Sequence, residues 1–437
     1  MKEAVMPFMR NCFLLTAVIL TMLSSCPAGD DDAAKELIEI LKGKPKKENQ
    51  WGDLSTTVPN NIGNTFYADP ETTRTISWQS GIAAGEVIIG NNRYLSTSVQ
   101  DGDYYFHRVD ITDLMPGKTY RFIAGASDRY SPIYSFKTKN SNYPNGFSVI
   151  HITDPQIGTS DKNSTDAEVW KRVIEAAVKK CPDAAFVANT GDVVDSIKET
   201  RIPYYFDYAQ EILARYAFVY SLGNNDSLGW YDRYFYIPSN TGNRKDDYSG
   251  VLYSFDYGNT HFVSINVTFP DSYDDDGNDD ESFALSPAQL TWLENDLSTT
   301  ARKWKVVMTH KPVFGKKSRS SIRDNPDLTD LTKLFDTYNV NLVLAGHYHF
   351  YMRTYPINWD GATKANGTVW TIPNAAGAKY KPPPESIRSY IKNLEQPYLP
   401  MFTEFVFTDT NIYLNAYTVD SDGQAVPFDT YEYYVFP

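Results

Sequence analysis

AFVANTGDVVD, residues 185–195, is an apolar run that ends on a glycine and two carboxylates, and its form decides the fold. Residues 185–189 have the length and composition of a buried strand. Gly191 then lets the backbone turn closely and puts Asp192 at the strand's end. Four other apolar runs finish in the same way. Residues 147–153 lead into DPQ (154–156), 218–222 into GNND (223–226), 305–308 into THKP (309–312) and 342–345 into GHYH (346–349). In an open α/β sheet, ligands gather in the crevice outside the carboxyl ends of the strands. Five such ends can therefore deliver their polar residues to one place. Of the six histidines in the chain, three (His310, His347 and His349) fall inside these blocks. The spacing predicts a single site.

The residue types in that site point to metal chemistry. Taken singly, each block is an ordinary turn sequence, because Asp, Asn and Gly all favour turns. All five, each after a strand, are not. Two cations about 3.5 to 4 Å apart can clamp a phosphate, generate hydroxide at neutral pH and stabilise a leaving oxygen. Asp192 is the natural carboxylate to bridge them. One ion would take Asp154 and His349, the other Asn224, His310 and His347, with the two GHYH histidines aimed one at each. Mixed imidazole and carboxylate donors suit zinc, manganese or iron, as divalent or trivalent ions, rather than calcium.

The order of these blocks resembles that of the calcineurin-like metallophosphoesterases from residue 147 to about 436. SPAQLTWLENDL (286–297), WKVVMTHKP (304–312) and LYSFDYGNTHFVSIN (252–266) are similar to segments of the purple acid phosphatase branch. The resemblance implies hydrolysis of small phosphate esters, monoesters favoured, by a metal-bound hydroxide attacking phosphorus in line. It implies metal binding by Asp154, Asp192, Asn224, His310, His347 and His349, and phosphate contacts from Asn224, Lys311 and Tyr348. By the same likeness His261 is a strand histidine.

The chain also departs from its relatives. Gln156 stands where many of them have a histidine ligand, and an amide oxygen there would coordinate more weakly. Asp195 stands where purple acid phosphatases place a tyrosinate, so no charge-transfer colour is expected. Asn225 replaces the histidine that protonates the leaving group, leaving Asp226, Lys311, Lys316, Lys317 or Arg319 as candidate substitutes or phosphate contacts. The catalytic candidates are thus Asp192, Asn225 and Asp226. Two alternatives remain beside a monoesterase: a phosphodiesterase of the same fold, or a surface ligand-binding lipoprotein with a degenerate, weakly active metal site.

With 437 residues, 42% apolar and 14% aromatic, the chain can bury more than one core. A net charge of −13 disfavours a nucleic-acid partner, which needs a clustered cationic surface. Lys2 and Arg10 precede an apolar stretch at 13–23, too short to span a bilayer and ending in LSSC. Residues 1–25 are expected to be a signal peptide. LSSC resembles a bacterial lipobox, implying lipidation at Cys26, and Asp30 to Asp32 resemble the surface-export signal of Bacteroidetes lipoproteins. An ordinary secretory signal is the alternative. The expected location is exported, anchored by lipid in the outer membrane, periplasmic or cell-surface. Cys181 is then the one cysteine left, read as a buried structural thiol.

Residues 26–56 read as a lipidated tether. Residues 57–140 carry short alternating strands (75–79, 86–89, 106–111, 119–124, 133–137), a β-sandwich in which DLMPGKTYRF (113–122) resembles the turn and tyrosine of fibronectin type III domains. His107 lies on one of its strands and is not expected to bind metal. Residues 145–437 form the expected metallophosphoesterase domain: two packed sheets flanked by helices (an αββα sandwich), a helix at 166–180 capped by Ser164 or Thr165, and final strands completing the second sheet. The acidic segment 271–281 is read as a solvated loop, since it lacks calcium-loop spacing.

Overall fold

The computed structural model describes residues 58–66, 68–138, 140, 146–227, 229, 231–236, 252–267, 285–314, 326–384 and 388–434. The expected signal peptide, the tether with Cys26, the acidic segment and Lys316, Lys317 and Arg319 lie outside the described residues. Among the described residues no helix is long and apolar enough to cross a membrane.

Among the described residues, alternating sequence in the first part gives nine strands: β1 (Asn60–Thr65), β2 (Arg74–Ser80), β3 (Glu86–Ile89), β4 (Asn92–Leu95), β5 (Thr97–Asp101), β6 (Tyr104–Ile111), β7 (Thr119–Ala126), β8 (Arg129–Tyr130) and β9 (Tyr134–Lys137). They form one sheet in the order β1-β2-β6-β5 and another in the order β4-β3-β7-β8, with β9 also on β7. Ile76, Trp78, Val87, Val109, Phe122 and Phe136 fill the space between them. The Tyr120 hydroxyl accepts from the Met115 N–H at 2.7 Å and closes the turn between β6 and β7. His107 stacks on Trp78 and contacts the hydroxyls of Ser80 and Ser96, both at 3.0 Å. It is a buried strand histidine.

Every residue of β2 is buried because both its faces are covered. One face meets the sandwich core. From the other, the Ser77 hydroxyl donates to the Tyr234 carbonyl of the following domain. Neighbouring β1 is fastened there too: Gln210 exchanges two hydrogen bonds with the Ile62 backbone, and Asn64 donates to the Ala214 carbonyl.

The second part alternates strands and helices: β10 (Phe147–Ile152), α1 (Asn163–Lys180), β11 (Val187–Asn189), α2 (Ile202–Arg215), β12 (Phe218–Tyr220), β13 (Tyr253–Tyr257), β14 (Thr260–Ser264), α3 (Pro287–Thr299), β15 (Trp304–Met308), α4 (Pro326–Thr337) and β16 (Leu342–Leu344). Then come β17 (Tyr351–Thr354), β18 (Val369–Ile372), β19 (Ile391–Glu395), β20 (Met401–Phe407), β21 (Asn411–Val419) and β22 (Ala425–Tyr434). The sheets run β12-β11-β10-β20-β21-β22 and β13-β14-β15-β16-β18-β17-β19.

Two expectations are corrected. Of the strands after His349, β17, β18 and β19 join the second sheet, whereas the final three, β20, β21 and β22, extend the first. Parallel pairing with β11 leaves the other edge of β10 open, and β20 covers it antiparallel from Phe147↔Phe407 to His151↔Thr403. The helix expected at 166–180 begins at Asn163, and neither Ser164 nor Thr165 caps it. Instead the buried Asp166 carboxylate accepts from the Gly158 and Ser160 N–H groups ahead of the helix, at 2.9 and 3.0 Å.

Period-2 alternation packs the two sheets on each other. Val306, Met308, Leu342 and Leu344 face the first sheet among Phe147, Phe186 and Phe262. Val307, Val343 and Ala345 face the other way, against Leu293 and Leu297 of α3 and Phe335 of α4. Strands buried on both faces explain why the sequence shows apolar runs there rather than alternation.

His261, on β14, touches Asp256 of β13 at 2.7 Å and Asp296 of α3 at 2.8 Å. Burial opposes its charge, but these two carboxylates outweigh that and raise its pKa to about 9. A pKa raised in the folded state stabilises fully below the ordinary value of 6.5, and the benefit is lost as pH rises through about 9. The stability gap between the native chain and His261→Gln should therefore be widest below that lower pH and close above the upper one, as read by urea unfolding across pH. A gap that does not change with pH would contradict the ion pairs.

Candidate metal centre

Each of the five blocks follows a strand. Asp154 follows β10, Asp192 follows β11, Asn224 follows β12, His310 follows β15, and His347 and His349 follow β16. The loops are bonded to one another: the Asp154 N–H donates to the Gly191 carbonyl, the Gln156 N–H to that of Asp192, and the Gly346 N–H to that of His310. Two glycines are dictated by close approach. A Cβ on Gly223 would lie 2.2 Å from Asp192 Oδ1, and one on Gly346 would lie 1.9 Å from Thr153 Oγ1. Asp154, Gln156, Asp192, His347 and His349 all adopt positive φ, between 39° and 73°. This left-handed backbone turns their side chains into the crevice, at a cost of order 1–3 kcal/mol each.

The donors meet around Asp192. His310 Nε2 lies 3.3 Å from Asp192 Oδ2, 3.2 Å from Asn224 Oδ1 and 4.0 Å from Asp154 Oδ1. His349 Nε2 lies 3.3 Å from Asp154 Oδ1. Ligand atoms of Asp154, Asp192 and His349 all fall within 4.8 Å of one another. The His347 ring stands 5.3 Å from that of His310, and the His347 N–H donates to Asp154 Oδ2 at 2.9 Å.

Backbone carbonyls fix the imidazoles. His310 Nδ1 is 2.8 Å from the Thr190 carbonyl, and His349 Nδ1 is 2.8 Å from that of Lys379. A proton on each Nδ1 leaves Nε2 to face the carboxylates, the arrangement found behind metal-bound histidines. Burial disfavours ionisation of Asp154 and Asp192. The imidazoles of His349 and His310 for Asp154, and of His310 for Asp192, outweigh it and hold both below the usual carboxylate range, Asp192 at about 2. Burial likewise opposes charge on His310, yet Asp192 and Asp154 raise its pKa to about 9. His347 is held neutral, first by burial and then by His310 and Lys311. Two buried carboxylates thus attract positive charge, and imidazole nitrogens and an amide oxygen lie beside them. Gln156 Oε1 is buried with no hydrogen-bond partner. This donor set fits cations, which would be held by Asp154, Gln156, Asp192, Asn224, His310, His347 and His349.

Several expected residues do other work. Asp226, a candidate acid, is a buried clamp: its carboxylate accepts from the N–H groups of Asp192, Val193 and Gly223 and from the Tyr231 hydroxyl, at 2.7 to 3.0 Å. Burial, then the Asp192 charge, raises its pKa to about 7. Tyr348, expected to touch substrate, instead packs in the core beside Phe350, because the residue between two inward-turned histidines points the opposite way. Asp195 faces Lys379 at 2.9 Å and Arg201 at 3.6 Å and does not join the cluster. Asn225 donates from both N–H and Nδ2 to the Asp192 carboxylate, at 2.8 and 2.7 Å. Lys311 is buried, and both it and the half-buried Lys381 lie close enough to His347 to affect its charge. Thr190, Tyr231 and Lys379 went unforeseen, two of them because they act through carbonyls, which every residue has.

Asp226→Ala would strand three buried N–H groups, so a loss of about 3 kcal/mol or more is expected in urea unfolding. Unchanged stability with an altered pH–rate profile would instead mark Asp226 as the proton donor.

Residues 147–351 match the family model described as calcineurin-like phosphoesterase, and residues 59–138 the purple acid phosphatase N-terminal domain. The chain is 23% identical over 369 residues to acid phosphatase type 7 of Mus musculus, covering 74% of this chain and 76% of that protein. It is 25% identical over 268 residues to purple acid phosphatase 21 of Arabidopsis thaliana, covering 57% and 54%. Among solved structures, purple acid phosphatase PPD1 from yellow lupin (Lupinus luteus) seeds superposes with a TM-score of 0.66 at 15% identity, covering 86% of this chain and 74% of that one. PhoD superposes at 0.59 with 13% identity, covering 89% and 92%. These two likenesses concern the fold. The chain carries a calcineurin-like phosphoesterase domain behind a purple acid phosphatase N-terminal domain, and with them the enzyme class of phosphoric-ester hydrolases.

Proposed function

We propose that this chain hydrolyses phosphate monoesters at a centre of two cations, zinc, manganese or iron, that share Asp192. The observation that carries the reading is the buried meeting of Asp154, Asp192, His310 and His349 from four separate strand ends, with both ring Nε2 atoms turned toward carboxylate oxygens. When bound, such cations supply Lewis acidity toward phosphoryl oxygens and activate water. The protein's residues do the rest. Asp226 and Tyr231 hold the Asp192 loop, while the Thr190 and Lys379 carbonyls orient two imidazoles. Asn224, at the half-buried edge, and the ammonium of Lys311 near His347 are suited to contact the substrate phosphate.

Asn225 bears on substrate choice. A positioned general acid contributes about 10²- to 10⁴-fold, and an amide bonded to Asp192 donates no proton to a leaving group. Aryl phosphates, whose leaving groups depart as phenolates, should therefore turn over at least about 10²-fold faster than alkyl phosphates. Equal rates would show that another acid has taken over. Metal-replete native protein should outpace Asp192→Asn on aryl monoesters; equal rates on every monoester and diester tested would sink the enzymatic reading. The same comparison tests the second reading, a ligand-binding protein with a weak centre, favoured by the two amides on Asp192.

We also propose export with a lipid anchor at Cys26, supported by LSSC after the short apolar stretch. Radiolabelled palmitate should enter the native chain in a bacterial host and be absent from Cys26→Ala. Equal labelling would contradict the anchor.

A further inference from the structure

Two lysines bracket His349. The Lys379 carbonyl lies 2.8 Å from its Nδ1, and two residues further on the Lys381 N–H donates to the His349 carbonyl at 3.2 Å. Gln396 fastens the segment down, donating from Nε2 to the carbonyls of both His349 and Lys381, at 2.6 and 2.7 Å. From this fixed backbone the side chains part. Tyr380 meets the ring of Tyr398, 6.5 Å away, whereas the Lys379 ammonium lies 2.9 Å from Asp195 Oδ1 and Lys381 is close enough to His347 to oppose its protonation. Both lysines are half-buried beside the centre, where salt screens a charge less than on open surface.

The Lys379 ammonium can be released. Asp195 does not depend on it: the carboxylate also accepts from the Ser196 hydroxyl and faces Arg201 at 3.6 Å, and Arg201 donates to the Asp195 carbonyl as well. One carboxylate shared by two cations does not neutralise both. The pair with Lys379, whose side chain is 33% exposed, is of the kind that contributes little to stability. Lys379 can therefore turn to an incoming anion while Asp195 keeps Arg201. The chain as a whole carries −13, so positive charge gathered at this one rim is a local arrangement that draws anions to the crevice.

We propose that Lys379 and Lys381 form a second anion subsite beside the centre, and that the preferred substrates are phosphate esters whose leaving group carries a further anionic group, a carboxylate or a second phosphate. The inference rests on the phosphate-ester reading of the centre and names a substrate class for it. The phosphoryl group to be cleaved goes to the centre and the second anion to the two ammonium groups, where no bond is made or broken.

The test compares phenyl phosphate with 3-carboxyphenyl phosphate and benzene-1,3-diyl bisphosphate on metal-replete full-length protein. The charged esters should show kcat/KM at least about fivefold above phenyl phosphate, carried by KM and shrinking as salt is added. An advantage confined to one of them supports the subsite and identifies the group it takes. In Lys379→Met and in Lys381→Met the ratio of charged to uncharged ester should fall toward one, whatever the absolute rate, so each variant carries its own control. Calorimetric binding of phenylphosphonate and 3-carboxyphenylphosphonate, which are not hydrolysed, should show the same preference and the same loss. If a variant misfolds, the native ratio and its salt dependence still decide. A native ratio of one, or a ratio unchanged in both variants, would overturn the subsite and leave the proposed function standing. Hydrolysis of none of the three esters would remove both.

Discussion

The centre depends on one constraint: Asp192 must present a buried carboxylate at the meeting point of loops that belong to two different sheets. Its backbone N–H is held by Asp226 and its carboxylate is met by His310, Asn225 and Gln156. A buried charge of this kind is costly unless it is paired and hydrogen-bonded. The surrounding loops are organised to meet that demand, and a bound cation would meet it further.

The scaffold makes the strain tolerable. Five donor residues in left-handed backbone would not hold such geometry on free loops. Here each follows a short parallel strand buried on both faces, and the loops are tied to one another through Gly191, Asp192 and His310 carbonyls. The antiparallel addition of β20 to β10 closes the remaining edge of the first sheet. The sandwich ahead supplies none of the cluster's ligands, yet Gln210, Asn64 and Ser77 seat it on the helix after β11 and on the residues after GNND.

Much of this is legible in the chain itself. The five blocks named the side chains that gather in the crevice because metal chemistry restricts residue type, and a strand followed by Gly-Asp or Gly-Asn is visible as such. What stayed hidden depends on backbone and direction. Nothing in a threonine or a lysine announces that its carbonyl will orient an imidazole, as at Thr190 and Lys379. Tyr348 sits amid ligands in sequence yet faces the core, and Asp226 adjoins them yet works beneath them. The final strands could not be assigned to a sheet because alternation reports a face and not a neighbour.

Anomalous X-ray diffraction from crystals of the metal-loaded protein, recorded at the zinc and manganese edges, tests the central claim most directly. Anomalous density is expected at the carboxyl ends of the strands, bounded by Asp154, Asp192, Asn224, His310, His347 and His349, with Asp192 common to both ions. Density elsewhere on the molecule, or none at these residues in protein that has bound metal, would contradict it.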